Sequence, residues 1–390
     1  MFRLKLIYLA AAKSKALSAL WTFPSILFSA LMIAWGAESA QFLVSQGLIL
    51  AIISWLQTSP EFVVEGVIAW DQNITLMTAN FTGATRLLIG FGLPTVYLTA
   101  FIFNLKRRQG GKKYLTRIKL EPQNSVPVMG ILIPTFYAFF IVSKASLHIG
   151  DAAILIFIYL VYLYVLNRLP PQEVESLEEM EPVPRFILKQ KKPVRNLLIL
   201  GFFLVGGVTL YYAAHPFVDS MLALAVYLGL SEYFFVQWVA PFLSEFPEFL
   251  TASYWARTVK KAPMASMNTV SSVIAELTLL VALIPIVYSF SKGAPTVIPF
   301  DHLHRIEILL TAMQALLGFL LLVNMEYRWY EAVGLFLLWF VQLVVPHWRE
   351  EIIFVYAGWI VLEIFLAIIK VRKWWAFPVF WDLMKKCFRK

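Results

Sequence analysis

Cysteine is all but missing from this 390-residue chain. The single thiol, Cys387, lies in a basic tail, so neither an intrachain disulfide nor a cysteine metal cluster can form. Histidine is scarce as well, with five scattered residues and no HExxH, which leaves zinc chemistry and an intramembrane metalloprotease without ligands. No Walker loop, nucleotide fingerprint or catalytic triad is present, so a nucleotide-driven pump or an ordinary enzyme finds no support and no cofactor is expected. Charge is thin: 15% of residues are Asp, Glu, Lys or Arg, against about 25% in soluble domains. No small-residue cleavage site follows the apolar start, so we expect no removable leader.

What abounds is apolar. Hydrophobic residues make up 60% of the chain, including 32 Phe and 13 Trp. They collect in runs of about 20 residues or more, the length that crosses a bilayer as a helix. We expect an all-α polytopic membrane protein with eleven spans, near 20–37, 40–70, 73–104, 126–143, 149–167, 197–214, 218–257, 263–290, 306–324, 328–346 and 351–371. Many Trp fall near span ends, where interfacial anchors belong. The net charge of +9 sits in loops and in the tail, which points to topology and anionic lipid rather than nucleic acid. The cell membrane is the expected location; nothing in the sequence sets an oligomeric state.

The runs divide the chain into a leading segment (1–19), a first repeat (20–167), a charged linker (168–196), a second repeat (197–346), and an extra span with a basic, aromatic tail (347–390). The linker carries Glu173, Glu175, Glu178, Glu179 and Glu181, then Arg185, Lys189, Lys191, Lys192 and Arg195, with five prolines. It reads as a solvated connector. The loop 105–125 holds Lys106, Arg107, Arg108, Lys112, Lys113, Arg117 and Lys119, so it should be cytoplasmic, as should the linker and the tail. Alternation then puts the N-terminus outside despite Arg3, Lys5, Lys13 and Lys15, which an amphipathic surface helix at 2–16 or an additional span would explain. On this count the first spans of the two halves run in opposite directions, as in inverted-repeat transporters.

Two spans are interrupted in the same way. One contains Gln57-Thr58-Ser59-Pro60-Glu61-Phe62, the other Ser244-Glu245-Phe246-Pro247-Glu248-Phe249. The prolines lie 187 positions apart, and so do the glutamates. A carboxylate at mid-span is costly and is kept for a function, and a proline there frees a backbone carbonyl. Paired interruptions in corresponding halves point to a binding site between two repeats. About twenty residues after each comes a polar helix: Ala79-Asn80-Phe81-Thr82-Gly83-Ala84-Thr85 in the first half, Met267-Asn268-Thr269-Val270-Ser271-Ser272-Val273-Ile274-Ala275-Glu276 in the second.

These segments resemble the two α-repeats of the sodium/calcium exchanger (cation/calcium antiporter) superfamily, whose broken helices read GTSxPE and whose following helices carry Asn, Ser and an acid or amide. The resemblance covers about 20–346. It implies ten core helices in two inverted groups of five, exchanging Ca2+ for Na+ or H+. Glu61 and Glu248 then match the two central Ca2+-binding carboxylates. Gln57 and Thr58 match the threonine and serine of the first repeat, and Ser244 and Glu245 those of the second. Ser272 matches the serine of the later helix and Glu276 its acid or amide ligand. At the corresponding places in the first repeat stand Ala84 and Leu88, which cannot coordinate an ion, so fewer Na+ sites are implied.

The chemistry of the residues agrees. Ca2+ takes about 6–8 oxygens at about 2.3–2.6 Å, and Mg2+ gives up its waters less readily. Two carboxylates balance the charge while hydroxyls and carbonyls complete the shell, and protons compete with the metal for the same oxygens. Plainer readings stand beside these. Pro60 and Pro247 could be kinks, Ser272 could bond back to its own helix, and Asn80 and Asn268 could join helices. Glu65 and Asp71 read as vestibule charges at the outer end of their span. Asn73 and Asn80 match glycosylation sequons, which we discount. Arg86, in mid-span, must meet a carboxylate, either as a structural ion pair or as a tethered cation replacing a transported ion. The rival to an antiporter is a non-transporting membrane sensor or assembly subunit that keeps the fold.

Overall fold

The computed structural model describes residues 13–40, 49–106, 114–169, 177 and 180–388. Residues 2–12 of the expected surface helix, Arg107, Arg108, Lys112 and Lys113 of the basic loop, and Pro170, Pro171, Glu173, Glu175, Glu178 and Glu179 of the linker lie outside them.

The first half begins with α1 (Ala19–Ala40) and the hinged pair α2 (Ile49–Gln57) and α3 (Ser59–Trp70). Next come α4 (Ile74–Leu87), a π-helical turn (Leu88–Gly92) and α5 (Leu93–Lys106), which form one long rod. Strand β1 (Arg117–Lys119), α6 (Ser125–Gly130), α7 (Leu132–Lys144), β2 (Ser146–Leu147) and α8 (Ile149–Asn167) complete the half. After the linker helix α9 (Pro182–Leu188) the pattern recurs. It runs through α10 (Lys192–Leu228), then α11 (Glu232–Phe234), whose π-helical continuation Phe235–Val239 leads into α12 (Ala240–Ser244), and α13 (Phe246–Ala256). The long rod of this half is α14 (Ala262–Ala275), a π-helical turn (Glu276–Leu280) and α15 (Val281–Lys292). Strand β3 (Ile298–Pro299), α16 (His302–Leu322), β4 (Glu326–Arg328) and α17 (Trp329–Val344) follow. Beyond the pattern lie α18 (Arg349–Ile368) and α19 (Ala376–Phe388). Among the described residues, eight helices are long and apolar enough to cross a membrane. α17 is apolar but shorter.

The π-helical turns at Leu88 and Glu276 are 188 positions apart, the spacing that separates Asn80 from Asn268. Beyond the helices, the described residues include four short strands in two ribbons. β1 pairs with β4 (Arg117 opposite Arg328) and β2 pairs with β3 (Ser146 opposite Pro299). β1 and β3 each precede the fourth helix of their half, and β2 and β4 each precede the fifth. α6 and α7 separate β1 from β2 by about 30 Å at 1.5 Å per residue. Strands in corresponding places therefore sit at opposite ends of the bundle.

Two boundaries differ from expectation. The expected spans 197–214 and 218–257 are not separated near 215–217: α10 runs through Pro216 without a break. It ends at Gly229, whose φ of 70° suits a residue with no side chain. The linker is also less solvated than its charge suggests. Pro182 opens α9, Pro184 and Ile187 are buried, and α9 packs on α1. Glu181 accepts from Trp35 Nε1 at 2.8 Å and from Thr251 at 3.0 Å, and burial pushes its carboxyl pKa above the ordinary carboxylate value. In the tail, α19 packs on α6, and Ala376 N donates to Val323 O at 2.8 Å. Trp374, Trp375 and Trp381 stay exposed there, as an interfacial face requires.

Candidate functional site

Each hinge restarts a helix at its proline. Pro60 stands in the first turn of α3 and Pro247 in the first turn of α13, where a missing N–H costs nothing. Glu61 and Glu248 are therefore first-turn residues, facing the positive end of a half-helix dipole. The hinges are tight: Glu61 N donates to Thr58 O at 3.0 Å and Phe249 N to Glu245 O at 3.2 Å. The carbonyl that Pro60 deprives of its donor, Leu56 O, accepts from Ser59 Oγ at 2.8 Å. That carbonyl is thus already occupied, contrary to the expectation of a free backbone ligand there.

Around the hinges lies a polar layer with no solvent exposure. Gln57, Thr58, Glu61, Glu65, Asn80, Ser244, Glu245, Glu248, Asn268, Ser272 and Glu276 are all 0% exposed. Glu61 receives hydrogen bonds from Asn80 Nδ2 of its own half and from Ser244 Oγ of the other. Asn80 also donates to Glu65 at 2.8 Å. Glu65 is thus part of this layer and not an outer vestibule charge, because it stands one helical turn after Glu61 on the same face. Asp71 is exposed, with His215 3.9 Å away. Asn268 reaches across in the other direction: its Oδ1 accepts from Ser54 Oγ at 2.9 Å and its Nδ2 donates to Gln57 Oε1 at 3.2 Å. Thr58 Oγ1 is turned back to its own helix, donating to Trp55 O at 3.1 Å.

The second hinge is less satisfied. Glu245, Glu248 and Glu276 each have both carboxylate oxygens without a hydrogen-bond partner among the described residues, and Ser272 Oγ has none either. Ser272 does not bond back to its helix; its neighbour Ser271 does, to Met267 O at 2.9 Å. Ser272, Thr269 and Glu245 flank the Glu248 carboxyl, and Thr85 flanks Glu276, without well-formed bonds. Glu61, Glu245, Glu248 and Glu276 are close enough to repel one another. Among the described residues no basic side chain pairs with any of the four, and no three His, Cys, Asp or Glu converge as a ready-made metal cluster. The arrangement offers dispersed carboxylates and neutral oxygens facing one another across the two hinges. A hard cation that draws oxygens from several sides suits this better than a rigid zinc-type site.

Arg86 does not join this layer. Its Nη2 lies 2.5 Å from Glu307, its Nη1 donates to Gln342 at 3.0 Å, and its guanidinium lies 5.2 Å from the Trp238 ring centre. Glu307 also pairs with Arg349 at 2.5 Å and accepts from Gln237 at 2.9 Å. Sequence reasoning required a carboxylate for Arg86 but did not name Glu307. It also missed Ser54, Thr85 and Thr269. Ser54 could have been found, since it stands one turn before Thr58 on the same helix face. Ala84 and Leu88 are buried in the first rod, where the second rod has Ser272 and Glu276.

This buried polar layer inside a bundle of apolar helices defines an integral, multi-pass membrane protein of the transporter class. The chain belongs to the sodium/calcium exchanger protein family, whose model matches residues 14–167 and 198–348; this is a family of secondary transporters, not of enzymes. The crystal structure of an H+/Ca2+ exchanger, CAX, is similar over 100% of this chain and 99% of that one, with 29% identity and a TM-score of 0.83. The sodium-calcium exchanger NCX_Mj, solved with Na+ and zero Ca2+, is similar over 86% of this chain and 99% of that one, at 17% identity and a TM-score of 0.54. At that identity the second likeness speaks for the fold alone. A comparison with curated proteins found no match.

Proposed function

We propose that this protein is a secondary antiporter that carries Ca2+, or a divalent cation of similar size and hardness, against H+. Transport proceeds by alternating access around a site built on Glu61 and Glu248. The observation that carries this reading is the set of five buried glutamates, Glu61, Glu65, Glu245, Glu248 and Glu276, around the two hinges, with no basic side chain among the described residues to balance them. Such charge is tolerated inside a bundle when an ion supplies the missing positive charge. Gln57, Thr58, Ser244, Glu245, Ser272 and Glu276 contribute further oxygens, while Asn80 and Asn268 orient the first hinge. H+ is favoured over Na+ as counter-ion for two reasons: Ala84 and Leu88 remove oxygens a Na+ site would need, and the similar CAX structure is of an H+/Ca2+ exchanger. The two halves act as inverted repeats, a reading supported by the exchanged strand pairing at opposite ends. The end bearing β1 and β4 faces the cytoplasm.

The test is 45Ca flux into proteoliposomes under imposed gradients. A pH gradient alone should drive uptake with no Na+ present. If flux demands Na+ and ignores the pH gradient, the counter-ion is wrong. If purified protein moves no divalent cation under any gradient, the non-transporting sensor or assembly subunit becomes the better reading.

A further inference from the structure

At the end of the bundle that carries the β1–β4 ribbon, α5 and α17 enclose a cavity of about 630 Å3. Its wall is almost wholly carbon, from Phe91, Leu98, Phe101, Ala332, Val333 and Phe336. Leu98 and Val333 are 56% and 47% exposed, so the cavity opens sideways onto the surface that meets lipid. From Phe91 to Phe101 the rod rises about 15 Å. That is half of a hydrocarbon core about 30 Å thick, the depth of one leaflet.

The mouth of this cavity is polar. Thr116 and Trp329 on its rim also border a second recess, of about 380 Å3, completed by Arg117, Arg328 and Tyr330. Arg117 Nη1 donates to both Glu326 oxygens, at 2.7 and 2.9 Å, and Arg328 Nη2 donates to Glu326 at 3.3 Å. Two guanidiniums thus share one carboxylate, and the cluster keeps one uncompensated positive charge. Arg328 Nη1 also donates to Tyr330 OH at 3.1 Å, which holds it over the recess. An apolar slot one leaflet deep, opening beneath a net-positive arginine pair, has the chemistry of a charged amphiphile's seat.

We propose that this double hollow binds an anionic phospholipid, with an acyl chain along α5 and α17 and the phosphate between Arg117 and Arg328. The site is separate from the glutamate layer and does not depend on which ion is carried. Its floor, Phe91, packs against Phe249 with ring centres 5.2 Å apart, one residue from Glu248, so occupancy and transport are in mechanical contact.

The test uses the full-length protein in mixed vesicles containing phospholipids with brominated chains, which quench Trp on contact. The signal of Trp329 is taken as the difference from Trp329→Phe. Brominated phosphatidylglycerol should compete for the site about fivefold better than brominated phosphatidylcholine, the effect of one net positive charge near the surface. Arg117→Gln with Arg328→Gln should abolish that preference, and Val333→Phe should reduce quenching by both lipids. Glu326→Gln releases both guanidiniums and should raise the preference, so a loss through misfolding is told apart by its sign. Competition by glycerol phosphate without a chain, as strong as by the lipid, would mean a phosphate site and overturn the proposal. Equal quenching by both lipids, or a preference unchanged in the double arginine variant, would mean ordinary bulk lipid and overturn it too.

Discussion

Replacing Arg86 by alanine separates the two roles its position allows. The guanidinium is 1% exposed and spends its donors on Glu307, Gln342 and the Thr82 carbonyl. Removing one partner of a buried ion pair costs about 3–5 kcal/mol, mostly because the other charge is left uncompensated. Glu307 is not left alone here, since Arg349 at 2.5 Å and Gln237 at 2.9 Å remain. Arg86→Ala should therefore fall at the lower end, about 3 kcal/mol. Glu307→Gln strands Arg86 with no other carboxylate in reach among the described residues, and Arg349 loses its partner too, so it should fall at the upper end, about 5 kcal/mol. The double variant Arg86→Met, Glu307→Gln should recover part of the Glu307→Gln loss, because the fully buried guanidinium leaves with its partner and only the partly exposed Arg349 loses its carboxylate. Denaturant unfolding in mixed micelles gives the stabilities, and flux in proteoliposomes gives the transport cycle. We expect Arg86→Ala to lose stability while the charge moved per cycle stays the same. A variant as stable as the parent, with new sensitivity to Na+ or a different charge per cycle, would make Arg86 a tethered cation and refute the structural reading.

Glu61→Gln and Glu248→Gln should each abolish divalent flux while the protein still folds, since each keeps volume and removes a charge that nothing balances; residual flux above one-tenth of the parent in either would remove that residue from the site. Gly83 lies where a Cβ would overlap the Gln237 carbonyl. Gly83→Ala should therefore cost about 1–3 kcal/mol by forcing the first rod from the second hinged helix, read as a drop in unfolding midpoint; no change would mean that this contact is loose. Cysteines placed at Lys119 and Lys385, in a background lacking Cys387, should react with impermeant reagent in inside-out vesicles and not in intact cells, and labelling of either from outside would reverse the topology.

The features legible in the sequence were those that violate the chemistry of a bilayer. Pro60, Glu61, Pro247 and Glu248 stand out because each is costly in an apolar span, and their common spacing pairs the two hinges. Features that violate nothing were harder to see. The end of α10 is not legible: Pro216 stands inside the helix, and the stop is Gly229, unremarkable in sequence. Glu65 looks like a charge at the outer end of its span, although four residues from Glu61 is one helical turn and brings it into the layer. Glu307 could not be matched to Arg86, since the two lie 221 positions apart and such pairings are made by packing. The π-helical turn at Leu88 leaves no mark in composition at all.

The unequal treatment of the two hinges suggests why exchange, rather than leak, is the natural outcome on the proposed reading. Both asparagines serve the first hinge: Asn80 holds Glu61 and Glu65, and Asn268 holds Gln57 and Ser54. The carboxyls of Glu245, Glu248 and Glu276 have no donor among the described residues. Enclosing three uncompensated carboxylates away from water would cost several kcal/mol for each. The bundle can close over that layer when a divalent cation fills it or when protons neutralise it, and not when it is empty and charged. A protein that cannot turn round with a bare site must return loaded, and a carrier loaded with one ion in one direction and another in the reverse is an antiporter.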